Sequence, residues 1–224
     1  MTKTVPIEYG KYYHIFNRGI NSCNLFKDSF NYKYFLDLYG KYIDTVANTY
    51  AWCLMPNHFH FLIRIKEEEK IGYYKPLNSD RSKDSVRFQV THDLSEFEKP
   101  ERVKKPNPTK HFSHLFSAYA KYFNDLYNRH GSLFEKPFHR KPITNENYLK
   151  YLVYYIHHNP VHHGFTETIS DYRWSSYSAI LSTKKTKLNR KEVREWFDDI
   201  NNFVFFHKQQ HELSQLNELL IDTI

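Results

Sequence analysis

His58-Phe59-His60 is the tripeptide of this chain with the most direct route to chemistry. On a β-strand, side chains at i and i+2 share one face with their Cα atoms roughly 6.6 Å apart, so two imidazoles at that spacing can grip one metal ion. Phe59 and Phe61 then point the other way and anchor the pair in a core. Spacing alone decides little in a chain with 14 histidines, because two His on an open sheet face are as a rule merely solvated. A second piece must supply a further ligand and a nucleophile. Residues 147–159 offer both, since Leu149, Leu152, Val153 and Ile156 make the apolar stripe of a helix. At about 100° per residue, Tyr155 and Asn159 lie roughly 40° apart on one flank of that stripe, while Tyr154 lies about 140° from Asn159 on the far side. If Asn159 approaches a metal, Tyr155 is the tyrosine that comes with it. The alternative stays open on these residues alone: Tyr148, Tyr151, Tyr154 and Tyr155 can all be packing residues, and Asn before Pro160 is an ordinary helix terminator.

These side chains need a scaffold, and the chain spells one out. Residues 11–17 are ring-rich and β-prone and stop at Arg18-Gly19. From Asp28 onward, Phe35, Leu38, Tyr39, Tyr42, Ile43 and Val46 follow the three-and-four spacing of a buried helical face. Residues 50–55 and 58–66 read as two strands joined at Pro56-Asn57. Residues 67–109 are polar and mixed in charge, which predicts a long insertion, partly disordered or with short local structure. A second helix carries Phe112, Leu115, Phe116, Tyr119, Phe123, Leu126 and Tyr127, with Gly131 expected at its C′ position. A fourth strand is expected within 133–143, and the helix over 147–159 is expected to stop at Pro160.

The order β-α-β-β-α-β followed by α predicts an α+β fold. It is the ferredoxin-like split βαβ arrangement, an antiparallel sheet with helices on one face and extra C-terminal helices. Residues 1–183 are expected to form the main domain, with 67–109 inserted. A Lys-rich link (Lys184, Lys185, Lys187, Arg190, Lys191) leads to an amphipathic helical appendage over 196–224, making 184–224 a separate unit.

Composition narrows the functional classes. No stretch approaches the ~20 consecutive apolar residues needed to cross a bilayer, and the N-terminus lacks a basic segment followed by an apolar run. Cys23 and Cys53 build no disulfide framework and no CxxC metal spacing, so a reducing, cytoplasmic setting is expected. With 19 Tyr and 18 Phe the core must be filled by rings, which can also stack on bases where they reach the surface. The net charge of +7 favours an anionic partner, though weakly by itself.

Five ordered segments make a more specific pattern. Met55-Pro56-Asn57-His58-Phe59-His60-Phe61-Leu62-Ile63 resembles the "MPNHxHxLI" signature of the HUH single-tyrosine transposases, in the branch associated with repetitive extragenic palindromes (REP). Tyr13-His14-Ile15-Phe16-Asn17-Arg18-Gly19 resembles that family's opening strand. Gly131-Ser132-Leu133-Phe134 with Phe138-His139-Arg140-Lys141 resembles its "GxLF…RF…" segment. Tyr155-Ile156-His157-His158-Asn159-Pro160-Val161 resembles "YIxxNPV", and Trp174-Ser175-Ser176-Tyr177 resembles the closing "WSSY". The resemblance covers roughly residues 8–181.

What the resemblance implies is a metal-dependent endonuclease and strand transferase acting on single-stranded DNA, often folded into a hairpin. Carried over by position, Tyr155 is the nucleophile, His58 and His60 are metal ligands, and Asn159 is the third ligand, where some relatives have Gln. Mg²⁺ or Mn²⁺ is the expected ion, although imidazoles also accept Zn²⁺. Arg18, Arg140 and Lys141 are candidates for phosphate contacts. A base for Tyr155 is left between the metal's proximity, Lys150 and Lys141. Family members include dimers that share sites and monomers, so a homodimer is one expected assembly. The reading requires the Tyr155 hydroxyl to be open to substrate and within reach of the imidazoles. Its rivals are a catalytically inert single-stranded nucleic-acid-binding module of the same fold, and a metal-dependent hydrolase that activates water at His58 and His60.

Overall fold

The structure is a computed structural model in which residues 6–76, 88–97, 103 and 105–211 are described. Four strands, β1 (Tyr12–Arg18), β2 (Ala47–Met55), β3 (His58–Ile65) and β6 (His139–Ile143), form one sheet in the order β2-β3-β1-β6, and every pairing in it is antiparallel. With α1 (Ser29–Ile43) between β1 and β2, and α2 (Pro108–Leu126) between β3 and β6, this is the expected split βαβ topology.

Strand parity sorts the side chains. Tyr13 and Ile15 of β1 and Phe59, Phe61 and Ile63 of β3 face α1 and α2, in a core made largely of rings. Phe35 of α1 sits 5.2 Å from Phe59, and Tyr39 stacks on Phe61 at 4.2 Å between centroids. Asp28 caps α1 by accepting from the amides of Phe30 and Asn31; Asn107 caps α2 by accepting from the amide of Lys110, with Pro108 at the helix start. The other sheet face is covered by α3 (Tyr148–His162). Its stripe of Leu149, Leu152, Val153 and Ile156 packs with Cys53, Met55, Leu62 and Ile143. The short helix α4 (Tyr177–Leu181), α5 (Arg190–Trp196) and α6 (Ile200–Lys208) complete this second core through Tyr177, Val193, Phe197 and Phe203.

Several element ends differ from expectation. Gly131 does not cap α2: the helix ends at Leu126, and Asn128 (φ 47°) takes the left-handed position, with the Arg129 amide reaching back to the Asn124 carbonyl at 2.8 Å. A short polar Asn tolerates that backbone without glycine. Pro160 does not stop α3, which runs on to His162. A proline in the last turn removes one amide donor, and the amides of His163, Gly164 and Phe165 still reach carbonyls of Asn159, Val161 and Pro160. Within 67–109, β4 (Tyr73–Pro76) pairs antiparallel with β5 (Phe88–Thr91) as a separate two-stranded sheet. The expected long C-terminal helix starts earlier, as α5, and breaks at Asp198 (φ 69°), after which Asp199 caps α6; residues 212–224 lie outside the described part. Among the described residues no helix is long and apolar enough to cross a membrane.

Candidate active site

The tight turn at Pro56-Asn57 brings Met55 opposite His58 and sets the phase of β3. It is pinned from outside: the Pro56 carbonyl accepts from the amides of Leu25 (2.7 Å) and Phe26 (2.9 Å), and the Asn57 carbonyl from Gly19 (2.8 Å). That phase puts His58 and His60 on the α3 face, in register with Arg18 and Phe16 of β1. Their rings meet edge to face with centroids 5.3 Å apart.

Each imidazole is oriented through its Nδ1. His58 Nδ1 lies 2.6 Å from Asn57 Oδ1. An amide oxygen only accepts, so the proton sits on Nδ1 and the lone pair on Nε2, which is buried with no hydrogen-bond partner among the described residues. His60 Nδ1 is 2.9 Å from Nε2 of the buried His14 on β1. Burial, reinforced by His163 and Arg18, pushes the pKa of His58 down to about 3. Burial first, then His14, His58 and His163, drives that of His60 well below its usual range. Both rings are therefore neutral at pH 7, which is the form that ligates a metal.

Helix α3 presents a second row to this pair. Tyr155, Asn159 and His163 are spaced i, i+4, i+8 and share a helix face. The Tyr155 ring stands 5.6 Å from His60 and 6.1 Å from His14, and the His163 ring 4.8 Å from His58. Asn159, one turn from each, thus lies between the two contacts. Its Nδ2 donates to the Tyr155 carbonyl at 3.1 Å, which leaves Oδ1 buried and without a partner among the described residues; the Tyr155 hydroxyl is in the same condition. Each such atom costs about 1–3 kcal/mol until something fills the site. The C-terminal end of the helix, with its partial negative charge, also lies beside His58 and favours a cation there. Among the described residues no three His, Cys, Asp or Glu side chains are arranged to hold an ion; beside the two imidazoles, the amide oxygen of Asn159 is a buried oxygen without a partner among the described residues.

The remaining expected residues are split by the sheet. Arg18 shares the imidazole face, 3.8 Å from Glu135 and donating to the Ser22 hydroxyl at 2.9 Å. Lys141 is paired in register with His14 on the same face. Arg140 points through the opposite face, its guanidinium 4.2 Å from the Phe138 ring. Of the two candidate bases, Lys150 is directed elsewhere, its ammonium 5.8 Å from the Phe197 ring.

A cavity of about 280 Å³ opens onto His58 and His60 and is walled by Phe16, Asn17, Arg18, His139, His163 and Phe165 among others. Phe16 stacks between His139 (4.8 Å) and His60 (5.8 Å), and Phe165 is 42% exposed at its margin. Tyr155 does not line it. The expectation of an open hydroxyl is corrected here: Tyr155 is 4% exposed and its oxygen is covered, because the apolar stripe that seats α3 on the sheet also seats the tyrosine against His14 and His60. Asn57, His14, His139 and His163 were not singled out by sequence reasoning. Asn57 abuts His58, and His14 has the strand parity of Phe16; His163 follows from the i, i+4 row only once α3 is known to pass Pro160.

Comparison with protein-family models finds no match, and neither does comparison with curated proteins. Among solved structures, the chain is similar to a REP-associated tyrosine transposase bound to a REP hairpin. The TM-score is 0.54 at 15% identity, covering 82% of this chain and 86% of the other. At that identity the likeness is one of architecture: the chain has the fold of a REP-associated tyrosine transposase.

Proposed function

We propose that the protein is a metal-dependent single-stranded DNA endonuclease and strand transferase, with Tyr155 as nucleophile and His58, His60 and Asn159 as the ligand set. The observation that carries this reading is that His58 Nε2 on β3 and, on the helix facing it, Asn159 Oδ1 and the Tyr155 hydroxyl are all buried without hydrogen-bond partners among the described residues, beside a second oriented imidazole. A divalent cation held there would polarise the scissile phosphate and stabilise the departing 3′ oxygen. Asn57 and His14 hold the imidazoles in fixed orientations, as the partners of metal-bound histidines do. The Tyr155 oxygen attacks phosphorus, forming one O–P bond as the bond to the 3′ oxygen breaks. The products are a 5′-phosphotyrosine and a free 3′ hydroxyl, and a different 3′ hydroxyl reverses the step to join strands without ATP. The phenol must lose its proton, and Lys141, on the strand beside His14, is better placed for this than Lys150. Before attack the hydroxyl has to be uncovered, so substrate entry is coupled to a small displacement of α3 or of the residues over it. Arg18 and Lys141 supply phosphate contacts on the imidazole face. Hairpin DNA is the favoured form of substrate, in keeping with the hairpin bound to the structural neighbour.

A second reading is favoured by one observation: the cavity reaches His58 and His60 but not Tyr155. In that reading the same metal site activates water, and cleavage leaves no protein attached. Tyr155→Phe separates the two. With a labelled DNA hairpin and Mn²⁺, nucleophilic catalysis predicts that the variant binds the hairpin but yields neither cleavage nor adduct on a denaturing gel. Retained cleavage identifies water as the nucleophile.

A further inference from the structure

The site just described uses one face of the sheet, yet the larger cavity lies on the other. About 700 Å³ in volume, it sits between α2 and the segment 131–140. This is within the ~300–1,000 Å³ range of small-molecule sites. Phe116, Phe134 and Phe138 contribute rings to its wall, and the hydroxyl residues Ser113, Ser117 and Ser132 also line it. Arg140 stands among them with its guanidinium stacked on Phe138 at 4.2 Å, and its Nε is buried with no hydrogen-bond partner among the described residues. Glu135, the carboxylate of the lining, is turned to Arg18 at 3.8 Å. An arginine with its stem buried and a donor unmet calls for an acceptor from outside the chain.

Asn17 and Glu135 line this cavity and the catalytic one alike, so the two share a wall at the end of β1. Two hydrogen bonds tie this wall together: Asn17 Nδ2 donates to the Glu135 carbonyl (3.1 Å), and its Oδ1 accepts from the Arg18 amide (2.9 Å). A strand whose phosphate lies at His58 and His60 therefore has the larger cavity on the other side of this shared wall.

We infer that this cavity is a subsite for one unstacked nucleobase of the strand that crosses the catalytic site. The base stacks against the Phe138–Arg140 wall, and Arg140 donates to acceptor atoms on its edge. Rings and guanidinium planes hold splayed bases in this way, and an arginine fork reads acceptor pairs on a base edge. The inference rests on the single-stranded DNA reading proposed above.

The test uses the full chain and two fluorescein-labelled 12-nucleotide strands, one carrying all four bases and one built of abasic units with the same phosphates. Wild-type protein is expected to bind the base-containing strand about tenfold more tightly by anisotropy. Arg140→Gln, and separately Ser117→Trp, which fills the cavity from an exposed position of α2, are expected to shrink that ratio to about twofold or less. Unchanged thermal midpoints show that both variants are folded. If the ratio is near one in wild type, or stays tenfold in both variants, the subsite is overturned, and covalent adduct formation by the same wild-type sample shows whether the DNA-cleavage reading stands without it. Wild-type protein that binds neither strand and forms no adduct overturns both.

Discussion

Two buried histidine clusters flank α3, and they are built on opposite terms. In the one behind the helix, every donor and acceptor is matched. His207 Nδ1 donates to the Phe203 carbonyl (2.8 Å), so His207 Nε2 accepts from His157 Nδ1 (2.9 Å), and His157 Nε2 accepts from the Ser176 hydroxyl (2.8 Å). The Ser176 oxygen in turn accepts from the Trp52 amide (2.9 Å). Its effect is to bolt α6, α3 and the outer edge of β2 together. In the cluster facing the sheet, the bonds run only part of the way: Asn57 and His14 orient His58 and His60, while His58 Nε2, Asn159 Oδ1 and the Tyr155 hydroxyl have no partner among the described residues. A closed network holds a helix in place; one that ends in buried, unmatched lone pairs is shaped for a ligand. The closed cluster is what allows the open one to exist, since it fixes the helix that carries Tyr155 and Asn159.

The comparison breaks most visibly on activity. His58→Ala is expected to abolish adduct formation while moving the unfolding free energy by no more than about 1 kcal/mol, because the ring it removes has one hydrogen bond. His157→Ala should do the reverse in kind. It strands the Ser176 hydroxyl and His207 Nε2 in a dry core, and a loss of about 3 kcal/mol in urea unfolding is expected, with activity falling only as the folded fraction does. Asn57→Ala sharpens the first half. Freed from its acceptor, His58 loses its fixed tautomer, and divalent-ion affinity measured by calorimetry should weaken by about 10–100-fold with little change in stability.

The matched cluster also sets a pH dependence. Burial pushes the pKa of His207 down to about 3, so the folded protein keeps it neutral where the unfolded chain protonates it near 6.5. The folded state thus binds fewer protons between those values, and stability rises with pH. The contribution is complete above about pH 6.5 and is lost as the pH falls toward 3, at up to about 1.4 kcal/mol per pH unit for this group. Denaturant titrations at a series of pH values should show a slope of this sign, and His207→Phe should reduce it by that group's share, the buried His58 and His60 still contributing. The smallest effect belongs to the proposed nucleophile: Tyr155→Phe deletes a buried hydroxyl that has no hydrogen-bond partner among the described residues, and should leave stability unchanged or raise it by about 1 kcal/mol.

Much of this arrangement was legible before any coordinates. Parity along 58–66 put His58 and His60 on one face with Phe59 and Phe61 in the core behind them, and the helical wheel chose Tyr155 over Tyr154 as the companion of Asn159. Those are local periodicities, and local geometry delivers them. What could not be read depends on strands far apart in sequence. His14 becomes the partner of His60 only through the β1–β3 register, and the Arg18, Arg140 and Lys141 set splits across the sheet because β6 alternates beside β1. The covering of the Tyr155 hydroxyl is likewise a property of how tightly α3 seats, to which α6 contributes from 50 residues away through the His157–His207 bond. End signals misled where another residue could do the same work, as Asn128 does in place of Gly131.

The central claim is that Tyr155 is the atom donor of a covalent DNA link. Incubating the protein with Mn²⁺ and single-stranded DNA from its own genomic flanks, digesting the product and sequencing the modified peptide by mass spectrometry tests it directly. The account predicts a nucleotide phosphate on the peptide at Tyr155. A phosphate on any other tyrosine, or cleaved DNA with no modified peptide, would contradict it.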